Sequence, residues 1–131
     1  MHVLIYSSSK KIYESDEVVY IEIPTQSGVI GVLDEHSPLI SNLDIGELKV
    51  KTKTGEIIEI ALLGGFVKIK DSQVFILANE AEMAEDIIKA EIDKAIRRTE
   101  EKLKEDLPST DLIQLEKQIK YLKLRRELAK K

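Results

Sequence analysis

All six glycines of this 131-residue chain lie at or before Gly65. Glycine supplies positive φ at turns and weakens helix interiors, so its distribution traces where a chain turns. Up to about Asn79, short β-branched runs alternate with turn signals. From Glu80 onward the pattern is helical and is broken once, at Pro108. The expected fold class is α+β, mainly β. An N-terminal antiparallel β-sandwich is expected over residues 1–79, and a C-terminal antiparallel two-helix hairpin over residues 80–131.

Within the glycine-containing part, Val3-Leu4-Ile5-Tyr6 reads as a strand turned by Ser7-Ser8-Ser9-Lys10. Glu17 to Ile23 is a stronger strand closed by Pro24. Gly28 to Leu33 is short and glycine-flanked, and Asp34-Glu35-His36-Ser37-Pro38 makes a turn. Glu47 to Lys53 alternates, with Leu48 and Val50 inward and the charges outward. Thr54-Gly55 is a hairpin signal into Glu56–Leu62. Gly64-Gly65 breaks that run, Phe66 to Lys70 resumes it, and Gln73 to Ala78 forms the last strand. Short strands spaced by turns every eight to twelve residues or so argue for a sandwich or barrel.

In the glycine-free part, Asn79-Glu80-Ala81-Glu82 has the layout of a capping box, with Asn79 as N-cap and Glu82 three positions on. The helix it predicts carries Ile88, Ile92, Ala95, Ile96, Thr99 and Leu103 on one stripe. Leu107-Pro108-Ser109-Thr110 stops it, and Asp111 with Gln114 resembles a second capping box. The next helix places Leu112, Leu115, Ile119 and Leu122 on one face, widened by Ile113, Tyr121, Leu124 and Leu128. The short connection requires the two helices to be antiparallel neighbours. The links near Leu77–Glu80 and Leu107–Asp111 are the expected hinges.

The formal net charge of −4 conceals a division: residues 80–111 carry 6 Lys/Arg against 11 Asp/Glu, whereas residues 112–131 carry 7 against 2. The first helix is acidic and the second basic, so folding side by side is mildly favoured. The basic helix, if released, could instead seek an acidic partner.

Composition narrows the chemistry. Hydrophobic content of 43% and charged content of 34% describe a foldable chain rather than a disordered one. Zero cysteines exclude disulfides, thiolate-bound zinc and thiol catalysis. No apolar run approaches the roughly 18 residues that would span a bilayer, so no direct membrane insertion is expected. Asp34, His36 and Ser37 include the residue types of a hydrolase triad, but crowded on one turn they are poorly placed for its geometry. His2 and His36, the two histidines, stand outside any ligand cluster, so no metal is expected. Gly28-x-x-Gly31 lacks a following Gly-Lys-Ser/Thr and reads as backbone turning and close approach. The acidic balance and scarce aromatics argue against nucleic acid as a partner.

The two-part layout resembles the ε subunit of bacterial and chloroplast F-type ATP synthases over essentially the whole chain. That family's G-x-x-G-V-L-P-x-H-x-P-L segment is matched by Gly28-Val29-Ile30-Gly31-Val32-Leu33-Asp34-Glu35-His36-Ser37-Pro38-Leu39, with Asp34 replacing proline, which should loosen the turn. Gly46-Glu47-Leu48-Lys49-Val50, Gly64-Gly65-Phe66 and Leu77-Ala78-Asn79-Glu80-Ala81-Glu82 match later elements. The resemblance implies a non-catalytic rotor subunit in the central stalk. Its sandwich would meet the γ subunit and the polar loops of the c-ring, with Gly28, Val29, Ile30, Gly31, Glu35, His36 and Pro38 as candidate contacts. Its hairpin would switch between a folded, permissive state and an extended one that inhibits ATP hydrolysis. Lys117, Lys120, Lys123, Arg125 and Arg126 are the candidates for contacting the catalytic α/β subunits in that state. The resemblance also implies a peripheral membrane location, on the cytoplasmic face of the bacterial inner membrane or the stromal side of a thylakoid.

Some members of that family bind ATP through a first-helix motif resembling I/L-D-x-x-R-A with second-helix arginines. Here Ile92-Asp93-Lys94-Ala95-Ile96-Arg97 sets the acid and base at i, i+4 instead of i, i+3, and both spacings keep them on one face. Phosphate recognition by Arg97 with Arg125 or Arg126, beside Asp93, therefore stands as an alternative to ordinary surface ion pairing. No other cofactor is expected.

Overall fold

The structure is a computed structural model that describes residues 1–8 and 10–130. Among these the chain forms β1 (His2–Ser7), β2 (Lys10–Ser15), β3 (Val18–Thr25), β4 (Gly28–Leu33), β5 (Leu39–Thr52), β6 (Ile57–Lys70), β7 (Gln73–Ala78) and β8 (Ala81–Met83). A 3-10 turn (Ala84–Asp86), α1 (Lys89–Leu103) and α2 (Ser109–Leu128) follow.

The strands make one sheet, ordered β2-β1-β7-β6-β5-β3-β4, with β8 also on β6. The two long strands bend it into two layers. The first half of β5 pairs with the second half of β6, from Leu39↔Ile69 to Leu43↔Gly65. That half of β6 also carries β7 and, beyond it, β1. The second half of β5 carries β3, from Leu43↔Thr25 to Thr52↔Val18, and the first half of β6 carries β8. The layers face each other across a core that includes Val3, Ile5, Ile21, Leu48, Ile60 and Ile76. This is the expected sandwich, with β1 and β7 running parallel and the other ladders antiparallel.

Several local expectations need correction. Gly64-Gly65 does not end a strand: β6 runs through it, because φ values of +66° and +124° turn the chain from one layer to the other. Strand β3 likewise passes through Pro24 to Thr25. Its ladder to β5 skips from Glu22 to Thr25, the stretch containing the residue without an N–H. Strand β2 pairs with β1 although its sequence carries no clear alternation. Asn79–Glu82 is not a helix cap. The Asn79 N–H donates to Gly64 O (3.1 Å), Glu80 O accepts from Leu63 N–H (2.8 Å), and Ala81–Met83 pair with Leu62, Ala61 and Ile60. A free edge of β6 satisfies these backbone groups in place of a helical turn. Helix α1 instead starts after an extended Ile88, and α2 after Pro108, which places Asp111 inside the first turn rather than at the cap. The body-side connection to the hairpin accordingly runs through Ile87 and Ile88, beyond the expected Leu77–Glu80.

The two helices pack antiparallel, and α2 lies on β5 and β6. Ala61, Ala84, Ile87, Ile92, Tyr121 and Leu128 form a second buried cluster between hairpin and sandwich. The hairpin is thus docked. Among the described residues no helix is long and apolar enough to cross a membrane.

Candidate functional site

The segment Gly28–Pro38 occupies an edge of the sheet. Among the described residues strand β4 pairs with β3 alone, from Thr25↔Gly28 to Tyr20↔Leu33. Gly28 has φ +119°, while the Tyr20 ring lies over Gly31 so closely that a Cβ there would come within 2.6 Å of its hydroxyl. The pair therefore serves turning and close approach. Val29 and Leu33 stand 70% and 62% exposed, while Ile30 is half-buried against the core and Val32 is fully buried within it. In the turn that follows, Glu35 holds φ +63° and Pro38 is exposed. The His36 Nδ1–H donates to the Ser37 carbonyl oxygen at 2.7 Å. That bond fixes the ring on a backbone acceptor, and no hydrogen bond joins the imidazole to the Ser37 hydroxyl among the described residues, so the turn shows no nucleophile–base contact.

A second surface was not singled out in the sequence. Register places Leu4 and Tyr6 of β1, Phe75 and Leu77 of β7, Phe66 of β6 and Ile40 of β5 on the outer face of one layer. Ile40 is 71% exposed, and Phe66 and Leu77 are more than one-third exposed. Phe75 packs between Tyr6 and Phe66, with ring centroids 6.4 and 6.3 Å away. Lys68 of β6 stands between Phe75 and Ile40 on this face. Single exposed apolar residues are ordinary, whereas a cluster such as Tyr6, Phe66, Phe75 and Leu77 suits a docking surface. The legible signal was the unbroken run Val74-Phe75-Ile76-Leu77-Ala78, since a strand apolar on both faces needs cover on both.

The third region is the hairpin interface. Tyr121 and Leu128 of α2 pack on Ala61, and burial pushes the Tyr121 phenol above the ordinary tyrosine range. Three ion pairs surround this apolar contact. Arg125 donates through Nε (3.1 Å) and Nη2 (2.7 Å) to Glu82 Oε1 on β8, its guanidinium 5.3 Å from the Tyr121 ring centroid. Arg126 Nε donates to Asp93 Oδ1 of α1 at 2.5 Å. Lys130 Nζ lies 3.1 Å from Glu59 Oε1 of β6. Two of the three pairs join the basic end of the chain to the sandwich rather than to the acidic helix, and Glu82 serves as an ion-pair partner, not a capping residue. Arg97 Nε reaches the Asp93 backbone carbonyl at 3.5 Å. Asp93, Arg97 and Arg126 therefore converge at one end of the hairpin, while Arg125 turns to β8. Lys120 and Lys123 are exposed, and Lys117 lines a cleft of about 750 Å³ between α2 and the bend of β5 and β6, together with Asp44 and Glu80.

These surfaces suit docking and detachment, and the chain is similar in sequence and fold to known proteins. A family profile described as "ATP synthase, Delta/Epsilon chain, beta-sandwich domain" matches residues 1–84. The ATP synthase epsilon chain of Pelotomaculum thermopropionicum is 37% identical over 99 residues, which cover 76% of this chain and 72% of that one. The chloroplastic ATP synthase epsilon chain of Tupiella akineta is 32% identical over 118 residues, 90% of each chain. Among solved structures, a chain in the Euglena gracilis mitochondrial ATP synthase (OSCP, F1 and c-ring, rotational state 1) superimposes with a TM-score of 0.78 and 25% identity, covering 93% of this chain and 76% of that one. A chain in the central stalk and c-ring of the Tetrahymena thermophila mitochondrial ATP synthase shares the fold with a TM-score of 0.67 at 16% identity, covering 96% of each. With a profile match over more than half its length and relatives above 30% identity across most of it, the chain belongs to the epsilon-chain family of the ATP synthases, as a non-catalytic subunit.

Proposed function

We propose that this chain is a rotor subunit that couples the γ shaft to the c-ring and regulates ATP hydrolysis through its hairpin. The observation that carries the reading is the separation of surfaces. The exposed apolar face around Ile40, Phe66 and Leu77 suits a permanent helical partner such as the shaft. The β4 edge and its turn, with Val29, Glu35, His36 and Pro38, offer a narrow, mixed contact suited to polar loops of the ring. The hairpin is held on the sandwich by one small apolar cluster and the Arg125–Glu82 and Lys130–Glu59 ion pairs, while Arg126–Asp93 ties its two helices together. Acidic surfaces on the α/β subunits could replace these acidic partners. In this reading the chain is a peripheral membrane protein through its complex, on the cytoplasmic face in a bacterium or the stromal face in a chloroplast. Deleting residues 89–131, which spares β8, tests the division. The shortened chain should bind γ and support coupled synthesis while hydrolysis loses its inhibition. Failure to bind γ would overturn the assignment of assembly to the sandwich.

A second reading rests on the convergence of Arg97 and Arg126 on Asp93. Nucleotide phosphates placed there would compete with Asp93 for Arg126 and with Glu82 for Arg125. ATP would then adjust hairpin docking. Calorimetry with Mg-ATP on the intact chain decides, and absence of heat at millimolar ATP ends this reading.

A further inference from the structure

The outer face of the second layer carries a row of charge directly beneath the end of the chain. Glu22 of β3 pairs across to Lys49 of β5, and Lys49 pairs across to Glu59 of β6. Two residues along β5, Glu47 stands opposite Ala61. Ala61 is fully buried in the cluster that holds Tyr121 and Leu128, with Ala129 packed against it. Glu47 is therefore beside the place where α2 lands. Its Oε1 is buried and has no protein partner that can donate to it among the described residues. Its neighbour Glu59 receives Lys130, the residue just past the end of α2, at 3.1 Å.

Glu47 lies opposite Ala61 and Glu59 opposite Lys49, so the two glutamates are diagonal neighbours on one face of the β5–β6 ladder. Two such carboxyl groups brought together cannot both hold a negative charge at little cost. One keeps a proton and donates it to the other. We propose that Glu47 and Glu59 share one proton and that this pair, gripping Lys130, is a proton-linked latch that fastens the end of the hairpin to the sandwich. Glu47 is the protonated partner. Burial, then the hydrogen bond to Glu59, raises it above the ordinary carboxylate range, with Glu22 adding in the same direction and Lys49 opposing. Glu59 is the charged partner, held below that range by the Glu47 hydrogen bond and then by Lys130, with Lys49 assisting.

The sign of the pH dependence follows from these two directions. Undocking exposes Glu47 and returns it toward an ordinary glutamate, so its contribution is complete below that ordinary value and is lost as pH rises through its raised one. Glu59 behaves in the opposite sense. Its contribution is complete above the ordinary value and is lost as pH falls through its lowered one. Docking is therefore tightest in a window around the ordinary glutamate range, bounded by Glu59 below and Glu47 above. Above that window a half-buried carboxylate with one buried, unpartnered oxygen lies beside a second negative charge, and the latch loosens. This inference goes beyond the rotor reading. It concerns docking within the chain alone and stands whether or not the hairpin regulates hydrolysis.

The test uses the full chain in solution. NMR follows the glutamate side-chain carboxyl carbons, and hydrogen exchange corrected for intrinsic rates follows the α2 amides across acid to neutral pH. Glu47 should titrate above exposed glutamates and Glu59 below them. The docking equilibrium read from α2 protection should fall about tenfold for each pH unit that Glu47 is raised on docking. Glu47→Gln, which keeps a donor for Glu59, should retain docking and abolish the fall at higher pH. Lys130→Met should weaken docking a few-fold within the window. If Glu47 and Glu59 both titrate as exposed glutamates, or if Glu47→Gln keeps the wild-type pH profile, the latch does not exist. Protection in β1 and β7 reports whether each variant is folded, and if Glu47→Gln is not, the wild-type carboxyl titrations decide by themselves.

Discussion

Gly65 shows how much one residue can carry. Its φ of +124° is reserved in practice for glycine, and a Cβ added there would stand 2.1 Å from the Leu77 carbonyl oxygen. The obstacle is backbone in a paired strand, so it has little freedom to move aside. Gly65→Ala should destabilise the sandwich by about 3 kcal/mol, combining backbone strain with overpacking, and urea unfolding of the purified chain measures it. The importance of this glycine was legible, while its effect was not. A Gly-Gly pair reads as a strand break, and only the pairing on both sides shows a bend that the strand survives. Charged residues followed a similar course. Arg125 and Arg126 stood out from the basic end of the chain, but Glu82 and Asp93 became their partners through packing. Sequence neighbours i, i+4 suggested Asp93 with Arg97, yet the carboxylate went to the facing helix. Exposed pairs on one helix are worth only a few tenths of a kcal/mol, too little to decide the matter locally.

At the scale of elements, short apolar runs bounded by turn residues located β1, β4 and β7 closely, because such runs match the length of a buried strand. Where periodicity failed, a neighbouring backbone decided. Strand β2 is largely polar and half exposed, and although Ile12 and Tyr13 pack against the core its sequence shows no alternating face, while β8 took three residues from a pattern that suited a helix cap. The hairpin helices were legible as amphipathic stripes, but which side of α2 meets the sandwich was not, since its apolar residues spread widely around it. Tyr121 is the anchor that the fold selected. Tyr121→Ala should weaken hairpin docking by about 3 kcal/mol. The expected signature is loss of α2 exchange protection with β1–β7 unchanged. Alkali should act on the same contact. The docked phenol has its ionisation pushed upward, so docking is unaffected below the ordinary tyrosine value of about 10 and declines as pH rises above it, because the free hairpin ionises first. Spectrophotometric titration should show Tyr121 ionising late, and Leu128→Ala should lower its ionisation toward the ordinary tyrosine value.

For the whole molecule, the working surfaces are products of assembly. Ile40 lies on β5, Phe66 on β6 and Phe75 and Leu77 on β7, and the sheet order alone makes them one face. Ile40→Glu should change stability by less than about 0.5 kcal/mol, because the side chain is 71% exposed. If this face receives the shaft, the same change should weaken γ binding by tenfold or more in a pull-down or calorimetric titration, and unchanged binding would move the contact elsewhere. Removing residues 89–131 should leave the sandwich core folded, because every residue of that core precedes the deletion. Calorimetric unfolding of the shortened chain provides the check.

Local chemistry was enough to place the β-rich body before the helical pair, to mark its turns, and to exclude thiol and disulfide chemistry. Glycine, proline, periodicity and composition act over a few residues, within the reach of a linear reading. The bend of the sheet at Gly64-Gly65, the capture of residues 81–83 by β6, the apolar outer face and the Glu59–Lys130 ion pair beside the buried Glu47 oxygen belong to the folded molecule. Each joins groups distant along the chain whose mutual cost or benefit exists only once packing has removed water from between them.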